Sequence, residues 1–174
     1  MASKALPARY LEAGQDYLSA LETLGLVPEF LGWGVDEAHD EWNLVLVTSI
    51  IEIGGPLALS KLLFRAYNLH ATPKEISPFI VRTFGSETLY APELKHLNEV
   101  KAGKVSVTAV RNADGSIPTG EKAKPIPIQA LQKNVGGIRM DSNYVYLIAP
   151  RNINHEQKTE EWTRFKDNVE SLAA

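Results

Sequence analysis

The sequence predicts an α+β fold, a mixed or mainly antiparallel sheet of about five or six strands with helices packed chiefly on one face. Three observations predict it. Two apolar runs that suit strands, over residues 30–35 and 42–48, flank the acidic link Asp36-Glu37-Ala38-His39-Asp40-Glu41, the pattern of a β-hairpin. Apolar side chains recur at helical spacing near both ends of the chain: Tyr10, Tyr17, Leu21 and Leu24 at one, Trp162, Phe165, Val169 and Leu172 at the other. Between them the second half is rich in strand-like runs, over 104–111 and 144–149.

The first element is a helix over residues 7–24. Pro7 suits a first helical position and Gly25 the position past the end, while Glu12, Asp16, Ser19 and Glu22 form the polar side. The 30–48 hairpin follows. Gly32 and Gly34 alternate with Leu31, Trp33 and Val35, which allows a neighbouring group to approach closely. The second arm is apolar on both faces and is expected to be a central strand. A rival reading makes 36–53 one buried helix, since the Val and Leu run fits either period. The β-branched residues Val45, Val47, Thr48, Ile50, Ile51 and Ile53 favour the strand.

Gly54-Gly55-Pro56 breaks the chain, and a helix is expected over 56–69 with Leu59, Leu62, Leu63 and Ala66 inward. Pro73 and Pro78 punctuate a loop before a strand over 79–84, so strand, helix and strand suggest a βαβ crossover. Further on, the pattern predicts a short helix over 91–101, a strand over 104–111 and a mobile loop over 112–127. Ile126 and Ile128 lie between prolines and suit only an edge strand. Residues 138–140 and 144–149 read as a second hairpin about Asp141-Ser142-Asn143, and a docking helix closes the chain near 159–172.

A chain of 174 residues fits one domain, 1–174. Its 44% hydrophobic and 22% charged residues are those of a globular protein, and a net charge of −3 supplies no global field for nucleic acid. With no cysteine, thiolate metal sites, disulfides and a Cys nucleophile are excluded. The start of the chain lacks a signal-peptide core, and no apolar run has the length of a membrane span, so a cytoplasmic protein without a membrane partner is expected.

Four constellations could carry chemistry. Asp36, Glu37, His39, Asp40 and Glu41 offer carboxylates and an imidazole for acid–base work or for zinc or manganese, with Glu52 or His70 as outside partners. Their spacing matches no metal motif, and the same residues make a solubilising turn. Residues 50–61 form a glycine turn into a helix start that could cradle a phosphate with Lys61, but Walker and dinucleotide spacings are absent and Pro56 removes an amide donor. Glu93-Leu94-Lys95 resembles an acidic–x–Lys nuclease pair. The basic set Lys101, Lys104, Arg111, Lys122, Lys124, Lys133 and Arg139, with Tyr144 and Tyr146, could hold single-stranded nucleic acid by phosphate contact and stacking. Each has a plainer reading as turn, helix start, solvated helix face or solvated surface. No GxSxG or HExxH motif occurs, and His39, His70, His96 and His155 are scattered.

The favoured reading is therefore a small non-enzymatic protein-interaction or accessory module, with another protein or a second copy of itself as partner and no cofactor or resident metal. Two alternatives are carried. One is a metal-dependent hydrolase or nuclease using His39 and Asp40, or Glu93 and Lys95, as catalytic residues. The other is a nucleic-acid-binding accessory protein using Lys101, Lys104, Arg111, Lys122, Lys124 and Arg139.

Overall fold

A computed structural model describes residues 5–86, 134–149 and 151–173 of the chain. Among the described residues three α-helices, α1 (Ala8–Thr23), α2 (Ile51–Asn68) and α3 (His155–Ser171), accompany strands β1 (Phe30–Asp36), β2 (Glu41–Val47), β3 (Val81–Phe84), β4 (Asn134–Val135) and β5 (Ile138–Ile148). Among the described residues the sheet has five strands in the order β3-β2-β1-β5-β4. Of these described pairs, β2–β3 alone is parallel. This is the α+β architecture with a mixed sheet. The short helix, strand and loop expected within 91–127, and the edge residues Ile126 and Ile128, lie outside the described residues.

The hairpin forms where the apolar runs place it. Phe30 pairs with Val47 and Asp36 with Glu41. The Asp36 side chain accepts hydrogen bonds from the amides of Ala38 (2.8 Å) and His39 (3.3 Å), and Asp40 takes a left-handed φ of 51° to close the turn. Acidic residues thus serve the turn through their short acceptors. The helical reading of 36–53 gives way over β2, because Leu44, Val45, Leu46 and Val47 are all fully buried with strand neighbours on both sides.

The β2–α2–β3 crossover is also present. Its helix starts earlier than expected, at Ile51. One helical turn forms, Gly55 interrupts it at φ 78° and ψ 161°, and Pro56 restarts the helix. That backbone position suits glycine alone, and proline sacrifices nothing at a first helical position. The break therefore falls inside the helix rather than before it.

The second half reverses at a different place. A hairpin about Asp141-Ser142-Asn143 was the expectation, but β5 is one long strand. Met140 opposes Gly34 and Val145 opposes Gly32, so the residues between them bulge out against Trp33. The Asp141 carboxylate does accept from the Asn143 amide (2.9 Å), so the local turn chemistry is real. Pairing with β1 on both sides turns it into a bulge instead of a reversal. The reversal is at Gly136-Gly137, whose φ values of 58° and 83° are both positive, as a two-residue type I′ turn requires.

The last helix begins four residues early, at His155, because Asn154 and Gln157 form a reciprocal capping box with both bonds at 2.9 Å. All three helices pack on one face of the sheet. Tyr17 and Leu21 of α1, Leu59 and Leu63 of α2 and Phe165 and Val169 of α3 meet Leu31, Trp33, Leu44 and Leu46 there. The other face carries its own apolar cluster, in which Phe30, Val45, Val47, Ile138, Val145 and Ile148 are buried. Gly32 and Gly34 lie on that face, where an added Cβ would crowd Phe30 and Ile138, so close approach is the reason for both glycines. None of the described helices is long and apolar enough to cross a membrane.

Candidate functional site

Helices α2 and α3 run side by side in the same direction. Near their starts the Lys158 ammonium meets the Glu52 carboxylate at 2.5 Å. The Trp162 ring then lies so close over Gly54 that an added Cβ would overlap it at 2.1 Å. Near their ends the Arg65 guanidinium donates to the Glu170 carbonyl at 3.4 Å. Between them lies an open groove of about 890 Å³.

Leu57, Phe64, Leu69, Trp162 and Ala173 line the groove with apolar surface, and Lys61, Arg65, Lys166 and Glu170 stand on its rim. Leu57 is 69% exposed, just beyond the Gly55 break. Phe79, at 75%, packs edge-on to Phe64 with ring centres 4.9 Å apart and continues the apolar surface. The inward faces of both helices meet the core, with Trp162 partly buried against it, while among the described residues Leu57, Leu69 and Phe79 remain exposed.

A second cluster is buried and polar. Glu29 is fully buried, and its carboxylate accepts from the hydroxyls of Ser49 and Ser86 and from the Arg151 amide (2.9 Å). Glu161, also buried, accepts from the Val27 amide (2.9 Å) and from the Arg151 guanidinium. These bonds tie the residues before β1, after β2, after β3 and before α3 to one another. The serines donate into a carboxylate, and His39, His70 and His155 are all exposed. The cluster is a clamp on the connections. Nothing in the spacing of Glu29, Ser49, Ser86, Arg151 and Glu161 announces it, because each arrives from a different connection.

The acidic turn brings together fewer groups than its composition offers. The His39 side chain is 72% exposed, and its Nδ1 lies 3.3 Å from Asp36. The Ala38 amide, followed by His39, holds the Asp36 carboxyl below its ordinary range. Glu37 accepts from the Asn134 side chain at 2.8 Å, while Asp40 and Glu41 are exposed. Glu52 pairs with Lys158, and His70 lies past the end of α2. Among the described residues no three His, Cys, Asp or Glu side chains gather as a metal site.

Lys61 stands on the groove rim rather than at the restart of α2. Glu93, Lys95, Lys101, Lys104, Arg111, Lys122, Lys124 and Lys133 lie outside the described residues. Arg139 is exposed on β5. Tyr144 packs edge-on to Trp42 at 5.4 Å, and Tyr146 is buried beneath α1. The Tyr146 ring is thus a core element with no face for a stacked base.

Sequence reasoning found both helices and most of their inward faces but missed the groove. The signal was the surplus of apolar residues at Leu57, Phe64 and Leu69 beyond the inward stripe of α2. No protein-family model, curated protein or solved structure matches the chain.

Proposed function

We propose that this chain is a small non-enzymatic protein-interaction module and that the α2–α3 groove is its contact surface. One observation carries the reading: a groove with an apolar lining, edged by Leu57 and extended by Phe79, opens outward beside the packed core of the described residues. Contiguous exposed apolar surface rimmed by polar groups is what protein contact sites present. Solvating it costs free energy that a partner would recover. A cytoplasmic setting accords with a chain that has no cysteine.

The test places a photo-crosslinking side chain at Leu57 and, as control, at the exposed Arg139 on β5, in cells that express the chain naturally. A discrete adduct identified by mass spectrometry is expected from position 57 only, and it should disappear in a Trp162→Ala background. Equal labelling from both positions, or none from either, would remove the groove as a contact surface.

A further inference from the structure

The groove has a length, a floor and a charge, and together they select an occupant. Its two walls are parallel helices in contact from Glu52–Lys158 at one end to Arg65–Glu170 at the other. From Leu57 to Leu69 the wall runs about 18 Å at ~1.5 Å rise per residue, room for three to four turns of a third helix. Two helices side by side offer a third the ridges and grooves that helix packing uses. The apolar lining, with Leu57 at its edge and Trp162 partly buried over Gly54, calls for an apolar inserted face.

The rim is charged the other way from the molecule. Among the described lining residues, Lys61, Arg65 and Lys166 stand against the carboxylate of Glu170, while the whole chain carries −3. Such a rim rewards acidic flanks on whatever enters. It disfavours a second copy docked through the same face, because a two-fold contact would bring two cationic rims together. Building on the reading of the groove as a contact surface, we infer that its occupant is an amphipathic, acid-flanked helix of a partner protein. Apolar side chains at i, i+3 or i+4 and i+7 fill the floor, and Glu or Asp on either side of that stripe meets Lys61, Arg65 and Lys166.

Trp162 supplies the readout. The other two tryptophans, Trp33 and Trp42, are 0% and 6% exposed, so a change in emission on binding belongs to Trp162. The probes are two designed helical peptides with the same leucine stripe, one flanked by glutamates and one by lysines. The glutamate peptide is expected to shift the emission and to bind about tenfold tighter at low salt, with the preference shrinking as salt screens the rim. In a Lys61→Glu/Lys166→Glu double variant the order should invert. A Trp162→Phe variant should remove the emission change without removing binding measured by peptide anisotropy.

Equal affinity for both peptides would overturn the acidic helix while leaving an apolar contact surface standing. A concentration-dependent dimer in light scattering, dispersed by Leu57→Glu, would overturn it in favour of a second copy. Binding of neither peptide would overturn it as well. The crosslink from position 57 then decides separately whether the groove is a contact surface at all.

Discussion

The hydroxyl of Tyr146 joins three elements in the core. It accepts from the Trp33 indole N–H at 2.9 Å and donates to the Leu11 carbonyl at 2.8 Å. Tyr146 reaches that point because it is the residue skipped between the Leu31–Leu147 and Gly32–Val145 pairs, a bulge that re-aims its ring toward α1. Gly14 makes the room, since an added Cβ would lie 2.2 Å from the hydroxyl. In Tyr146→Phe the Trp33 N–H is left buried without an acceptor, and a loss of about 2 kcal/mol is expected in urea unfolding. Burial pushes the Tyr146 hydroxyl up to about 12, against a smaller opposing pull from Trp33. A raised folded value means that the neutral form is the one the fold holds. Its contribution is complete below the ordinary tyrosine range near 10 and is lost as pH rises toward 12. Stability measured across that window should fall more steeply in the parent chain than in Tyr146→Phe, and equal slopes would disprove the coupling. The role of Tyr146 was not legible in the sequence, where Tyr144 and Tyr146 look like equivalent residues on one strand face.

At the scale of elements, local chemistry and periodicity were enough for α1, the β1–β2 hairpin, the β2–α2–β3 crossover and most of α3. The helices and the hairpin are built from one apolar face or from contacts between residues close in sequence, while the crossover shows as the order strand, helix, strand. The miss in the second half has a physical cause. Asp141 and Asn143 form their local turn, yet whether the chain reverses depends on pairing with β1, far away in sequence. The start of α3 was missed for a different reason. The apolar stripe begins with Trp162, but the helix begins where its first amides find acceptors, at Asn154 and Gln157. Lys158 and its bond to Glu52 fall in the added turn, ahead of the Trp162 wall of the groove. Asn154→Ala is therefore expected to cost about 1 kcal/mol. Hydrogen exchange should show the loss confined to the first turn of α3, with the amides around Phe165 unchanged. Uniformly faster exchange along the helix would show instead that the cap sets the stability of the whole element.

At the scale of the molecule, the question is what makes separate connections act together. The apolar faces bring α1, α2 and α3 onto the sheet, but apolar contact is non-directional and tolerates sliding. The Glu29 cluster is directional. Its carboxylate joins Ser49, Ser86 and Arg151, and Arg151 in turn holds Glu161 on α3. It could not be read from the sequence, because no two of its members share a motif and the arrangement exists only once the sheet and α3 are in place. Truncating Glu29 to Ala strips an acceptor from two hydroxyls and one amide and leaves the Arg151–Glu161 pair without its neighbour. A loss of about 3 kcal/mol is expected, the range for breaking a buried charged network by removing one partner. Glu29→Gln keeps the shape and one carbonyl acceptor and should lose less. If the chain is the single domain its length predicts, urea unfolding of Glu29→Ala should remain one transition, shifted to a lower midpoint with an unchanged slope, and tryptophan emission should follow the same curve as circular dichroism. Two separated transitions would show that the clamp had been joining units that unfold independently. In that case the groove, whose two walls belong to α2 and α3, would lose its shape in the first transition while the sheet persisted.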